Sequence, residues 1–89
     1  MVKDDIGTVI DCNMRINIAD ATLLQIKYRK PSGATGTWTG ILQGTQSVRF
    51  VTVAGSIDEA KKWQFQPYAE KPGWSGHGRA QTVEVEDHL

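Results

Sequence analysis

Apolar and polar residues alternate with a period of two through much of the chain, and glycine or proline interrupts the alternation at short intervals. The clearest run is Leu23 to Lys30, where Leu24, Ile26 and Tyr28 alternate with Gln25, Lys27 and Arg29. That pattern predicts a strand with one face in a core and the other in water. Pro31-Ser32-Gly33 ends it with turn chemistry, because proline fixes φ and glycine supplies a positive φ. The next run, Gly36 to Leu42, is rich in threonine with Trp38 at its centre, which suits a pleated, half-buried surface and makes Trp38 a core candidate. Gly40 inside the run weakens it or marks a bulge. After the polar turn Gln43 to Gln46, the run Ser47 to Val53 predicts a third strand, with Val48 and Phe50 on one face and Arg49 and Val51 on the other. It pairs as a hairpin with the run before it.

Further on, Trp63 to Glu70 sets Trp63, Phe65 and Ala69 on one face against Gln64, Gln66 and Tyr68. Pro67 has no N–H for a ladder, so this strand is expected at a sheet edge or with a bulge at that point. Pro72 to Gly78 reads as a glycine-rich tip, and Arg79 to Glu86, with Val83 and Val85 alternating with Glu84 and Glu86, completes a hairpin. Near the start, Ile6 to Cys12 and Met14 to Ile18 read as one or two short strands, followed by a loop over Ala19 to Thr22. Only Ile57 to Lys62 has helical composition, with Ser56 as a cap and Asp58 and Glu59 near the N-terminal end, enough for one or two turns. The result is an all-β chain of six to seven antiparallel strands at roughly ten-residue spacing, expected to fold as a sandwich with at most one short helical turn.

Composition narrows the function. Eighty-nine residues make one domain, spanning residues 1–89. A domain of this size buries a limited share of its surface, so contacts between subunits would add to its stability. Ten basic and ten acidic residues cancel, which removes the long-range field that draws in a phosphate backbone and makes nucleic acid an unfavoured partner. Near-zero charge favours self-association. Cys12 is the only cysteine, so an intramolecular disulfide is excluded, and the residue reads as a small, half-buried side chain. The opening Met1-Val2-Lys3-Asp4-Asp5 is too acidic for a signal peptide, and no apolar run approaches the ~20 residues of a membrane span. A soluble, cytoplasmic product with no membrane partner is expected.

Candidate chemistry is sparse. His77 lies among glycines and His88 in a C-terminal tail, neither at a metal-ligand spacing. Asp4-Asp5, Asp58-Glu59 and Glu84, Glu86, Asp87 read as solvated turns and strand faces rather than general acids or bases. Lys27, Arg29 and Lys30, with Arg49 on a neighbouring strand, form a small basic patch, too slight for nucleic acid. No catalytic residue, metal ligand or cofactor is therefore assigned. The candidate interaction surface consists of Trp74 and His77 in the glycine-rich tip together with Tyr68, Gln64 and Gln66, which place an aromatic ring among amides on one sheet face.

Several short motifs follow one another along the chain: Asp5-Ile6-Gly7-Thr8, Ala19-Asp20-Ala21-Thr22, Ile26, Lys30-Pro31-Ser32-Gly33 with Trp38, Thr52 to Ile57, and Trp63 with Gln66 and Pro72-Gly73. Their order resembles a family of small immunoglobulin-like β-sandwich domains of phage tails, best known from the N-terminal part of the baseplate upper protein. They span nearly the whole chain. Asp58 to Lys62 departs from the family's pattern, which has a glycine-containing turn there. The resemblance implies a structural module of a virion or a mobile-element product, with no catalytic residues to carry over. The leading expectation is thus a non-enzymatic structural or interaction domain, partnered by itself as a homo-oligomer or by a phage-like assembly, in the cytoplasm or in a virion. The alternative is a small ligand-binding sandwich that recognises carbohydrate or peptide.

Overall fold

A computed structural model describes all residues, Met1–Leu89, as eight strands and no helix: β1 (Val9–Asn13), β2 (Leu23–Arg29), β3 (Thr35–Thr39), β4 (Ile41–Gln43), β5 (Ser47–Val51), β6 (Lys61–Lys71), β7 (Trp74–His77) and β8 (Gln81–Val85). They form two antiparallel sheets. One has the order β1-β5-β4, and the other runs β3-β2-β6, with β7 and β8 both on the far side of β6. An isolated parallel bridge between Val2 and Glu86 adds the N-terminal segment beside the end of β8. Two sheets in this order, one of three consecutive-plus-returning strands and the other built around a central β2-β6 pair, make an immunoglobulin-like β-sandwich. No helix is long and apolar enough to cross a membrane.

The alternating runs became strands, and the inward residues became the core. Ile10, Cys12, Ile26, Val48, Trp63, Phe65, Ala69 and Val85 are buried between the sheets. Cys12 is fully enclosed rather than half-buried, and burial pushes its thiol up to about 11. At one end of the core Trp38 of β3 stacks on Phe50 of β5, with centroids 4.4 Å apart and planes 10° from parallel, which ties the edge of one sheet to the other. Tyr28, Trp63 and Phe65 pack around this pair. The Trp63 indole N–H donates to the Glu59 carbonyl at 2.9 Å, and no buried side-chain polar atom lacks a partner.

The structure corrects the sequence reading at several further places. The run Gly36 to Leu42 is two strands in different sheets, and Gly40 is where the chain crosses between them. Its N–H still bonds the Leu24 carbonyl at 2.9 Å, while a Cβ there would collide with Val48. Second, the strand with Pro67 is central, not an edge. Pro67 lies opposite Gly78, which donates to the Pro67 carbonyl at 2.9 Å. The reciprocal donor that proline lacks is replaced by the Gln66 side-chain amide, which donates to the Gly78 carbonyl at 3.1 Å. The irregularity sits in the partner: β6 advances three residues from Tyr68 to Phe65 while the returning chain advances four, from His77 to Gln81, which is a β-bulge. So β7 and β8 are one return strand, interrupted.

Third, Met14 to Ile18 is a loop. The side chains of Asn13 and Asn17 accept from the backbone N–H groups of Arg15 and Ala19, and Arg15 has φ 61°, so local turns replace a ladder while Met14 and Ile18 still reach the core. Fourth, Ile57 to Lys62 forms no helical turn. A segment this short cannot nucleate a helix unaided, and tertiary contacts hold it extended. Ile57 is buried, Asp58 pairs with Lys30 at 2.8 Å, and the Glu59 carboxylate accepts from the Ser32 N–H and hydroxyl. The strap ends at Lys61 with φ 96°, a region that favours glycine.

Candidate functional site

Alternation along β6 and its neighbours turns one set of side chains away from the core, onto the outer face of the five-stranded sheet. Register places Gln25, Lys27 and Arg29 of β2 beside Thr39, Thr37 and Thr35 of β3 on one side and Tyr68, Gln66 and Gln64 of β6 on the other. His77 of β7 lies opposite Tyr68. Four of the five residues singled out from the sequence, Tyr68, His77, Gln64 and Gln66, therefore share a face. Trp74 does not, because strand alternation puts it on the opposite face from His77.

The centre of the outer face is a small polar and aromatic cluster. The Tyr68 and His77 rings are 4.7 Å apart, and the Lys27 ammonium lies 4.6 Å from the Tyr68 centroid and 3.0 Å from His77 Nε2. The Tyr68 hydroxyl donates to the Glu70 carboxylate at 2.7 Å, which holds its proton above the usual tyrosine range. With neighbours on the ring and a bond at the hydroxyl, Tyr68 is a packed element of the surface rather than an open stacking platform. Toward β3 a shallow depression of about 480 Å³ is lined by Lys27, Arg29, Thr35, Thr37, Gln64 and Gln66, and no carboxylate lines it.

Trp74 lies in a strand rather than a loose tip. The hairpin turn has Pro72 at its first central position and Gly73 at φ 78° at its second, the signature of a type II turn. The indole lies across Gly76, where an added Cβ would come within 2.7 Å of the ring, and Lys71 Nζ sits 5.7 Å from its centroid. The ring remains 37% exposed, at the edge of a depression of about 490 Å³ around the hairpin end.

Of the basic patch, Lys27 and Arg29 face outward together, while Lys30 is engaged with Asp58. Arg49 is on the other sheet, where it makes two bonds to Asp11 at 2.7 and 2.9 Å that hold the Asp11 carboxyl below its ordinary range. No three His, Cys, Asp or Glu side chains converge as a metal site requires.

A second surface was not singled out from the sequence, although its signal is there. From Pro31 to Val48 the chain carries no Asp, Glu, Lys, Arg or His, while 22% of the whole chain is charged. The fold lays this segment along one flank as β3, the Gly40 crossing, β4 and the turn into β5. Ile41 and Leu42 are exposed there, Ile41 at 60%.

With its two packed antiparallel sheets and polar outer face, the molecule falls in the class of small immunoglobulin-like sandwich domains. In comparisons with known proteins the chain matches no family model, no curated protein and no solved structure.

Proposed function

We propose that this protein is a non-enzymatic assembly module that associates through its charge-free β3–β4 flank, as a homo-oligomer or within a phage-tail-like or mobile-element-encoded assembly, in the cytoplasm or in a virion. The observation that carries this reading is the flank itself. An uncovered sheet edge is a template for another strand, and soluble proteins blunt such edges with charge, proline or bulges. Here β3 contains none of these, and the short strand β4 beside it exposes Ile41 and Leu42. The motif order shared with phage-tail domains supports the same class. Light scattering coupled to size-exclusion chromatography over a tenfold concentration range tests it: a defined oligomer is expected, and a monomer at every concentration overturns self-assembly.

One observation favours a second reading, a ligand-binding sandwich for carbohydrate or peptide. The outer-face depression combines two cations with amides and hydroxyls and has no carboxylate on its lining, which suits a polar ligand bearing an anionic group. An NMR titration with panels of acidic saccharides and short acidic peptides decides it. Shifts confined to the Gln64 and Gln66 side-chain amides and the β3 backbone support the site, and an unchanged spectrum removes it.

A further inference from the structure

The ladder between β2 and β3 fixes which backbone groups of β3 are free. Gly40 donates to the Leu24 carbonyl, and Lys30 donates to the Ala34 carbonyl, at the two ends of the register that sets Ile26 opposite Trp38 and Tyr28 opposite Gly36. In an antiparallel pair the narrow, hydrogen-bonded positions alternate with the wide ones. The even-numbered residues of β3 therefore face β2, and Thr35, Thr37 and Thr39 turn their N–H and C=O groups outward. Their side chains all lie on the outer face of the sheet.

The other sheet edges are blunted. The edge of β7 and β8 is broken by the bulge at Gly78 to Ala80 and overlaid near its end by the N-terminal segment, where Lys3 donates to the Glu86 carbonyl and Glu86 to the Met1 carbonyl. β4 is three residues long, and β1 carries Asp11 at its middle. Only β3 is at once regular, five residues long and free of charge, proline and bulge.

We propose that a second copy of this chain docks on β3, its own β3 running antiparallel about a two-fold axis at Thr37. This deepens the assembly reading and rests on it. Thr37 then faces Thr37 of the second copy, and Thr35 faces Thr39, so each outward threonine exchanges two hydrogen bonds. The occupant is a second copy because the strand is self-complementary. Threonine meets threonine on the outer face, a favourable cross-strand pair, and nothing charged on the segment opposes its own image. A two-fold axis also presents the Ile41 and Leu42 flank of each copy to the same interface.

Thr37 permits a test that leaves the monomer intact, since its N–H bonds nothing within the chain. Thr37→Pro removes two outward donors per dimer and is expected to weaken dimerisation on the order of thirtyfold. Thr37→Lys places like charges face to face and is expected to weaken it several-fold, which provides a second reading if the proline variant fails to fold by near-UV circular dichroism. Thr37→Cys sets two sulfurs on a pair whose Cα separation, about 5.5 Å, lies within disulfide range, so mild oxidation should yield a covalent dimer, whereas Thr82→Cys on β8 should not. The buried Cys12 does not compete. A wild-type oligomer that Thr37→Lys leaves unchanged and Thr37→Cys does not link overturns the β3 register while the assembly reading stands. A wild-type monomer throughout overturns both.

Discussion

The flank formed by β3 and β4 and the flank formed by β8 with the chain ends are held by different kinds of interaction. On the first, one half-buried aromatic does the anchoring: Trp38 reaches inward from an edge strand and stacks on Phe50 of the opposite sheet. The outward backbone groups of Thr35, Thr37 and Thr39 have no partners within the chain. On the second flank, backbone bonds close the edge, with Val2, Lys3 and Met1 laid against Glu86. Polar side chains reinforce it: Asp5 accepts from the Val2 N–H at 3.0 Å, and His88 contacts Asp4 at 2.9 Å. An edge anchored only from inside stays available to another strand. An edge covered by its own chain does not.

Removing the aromatic anchor breaks this comparison most sharply. Trp38→Ala is expected to cost about 3 kcal/mol in urea denaturation, because it leaves a cavity among Phe50, Tyr28 and Trp63. It should also abolish self-association before unfolding, since β3 loses its fixed position. Gly40→Ala comes next, at about 1 to 3 kcal/mol, because the new methyl overlaps the buried Val48 where the chain changes sheets. A cost near zero for either variant would mean that the flank is held elsewhere.

Lys61→Gly tests the second flank, with the opposite sign. Lys61 starts β6 opposite Val85, and its φ of 96° strains any residue with a Cβ. Relief of that strain exceeds the added freedom of the unfolded chain, so the variant should be more stable by about 1 kcal/mol. Lys61→Ala, which keeps the Cβ, should gain nothing.

Much of the sandwich was legible because alternation is a local signal. Leu24, Ile26 and Tyr28, or Trp63, Phe65 and Ala69, declare a buried face without knowledge of their partners. What stayed hidden depends on contacts distant in sequence. Gly40 reads as a flaw in one strand because nothing local says that Leu24 and Val48, in different sheets, both approach it. Pro67 reads as a mark of an edge or a bulge, and what that reading lacks is that the bulge lies in the partner strand and that the substitute donor is the Gln66 side chain meeting a carbonyl twelve residues on. The same holds for the site. Tyr68, Gln64 and Gln66 share a face by simple alternation, but Lys27 joins them only through the pairing of β2 with β6, and Trp74 parts from His77 because the tip is a strand. The charge-free stretch was present in the sequence throughout, and it becomes a surface only once β3 and β4 are known to lie on one flank.

The smallest effect belongs to the latch at the chain ends, and its sign follows from His88. The Asp4 carboxylate beside the ring, with a further contact to the Leu89 backbone, raises the pKa of His88 above 6.5. A group whose folded value is raised contributes its stabilisation fully below its unfolded value and loses it as pH rises through the folded one. The latch is therefore fully closed below about pH 6.5 and opens as pH rises past the raised folded value, because neutral imidazole gives up the charge that draws Asp4. Amide exchange at Lys3 and Glu86, corrected for the intrinsic pH dependence of the chemistry, should show lower protection at pH 8 than at pH 6. His88→Gln should remove that difference, while the amides of β2 and β3 stay unchanged in both proteins. If the β3 amides respond equally, the two flanks open as one unit, and the distinction between an edge anchored from within and an edge latched from without is lost.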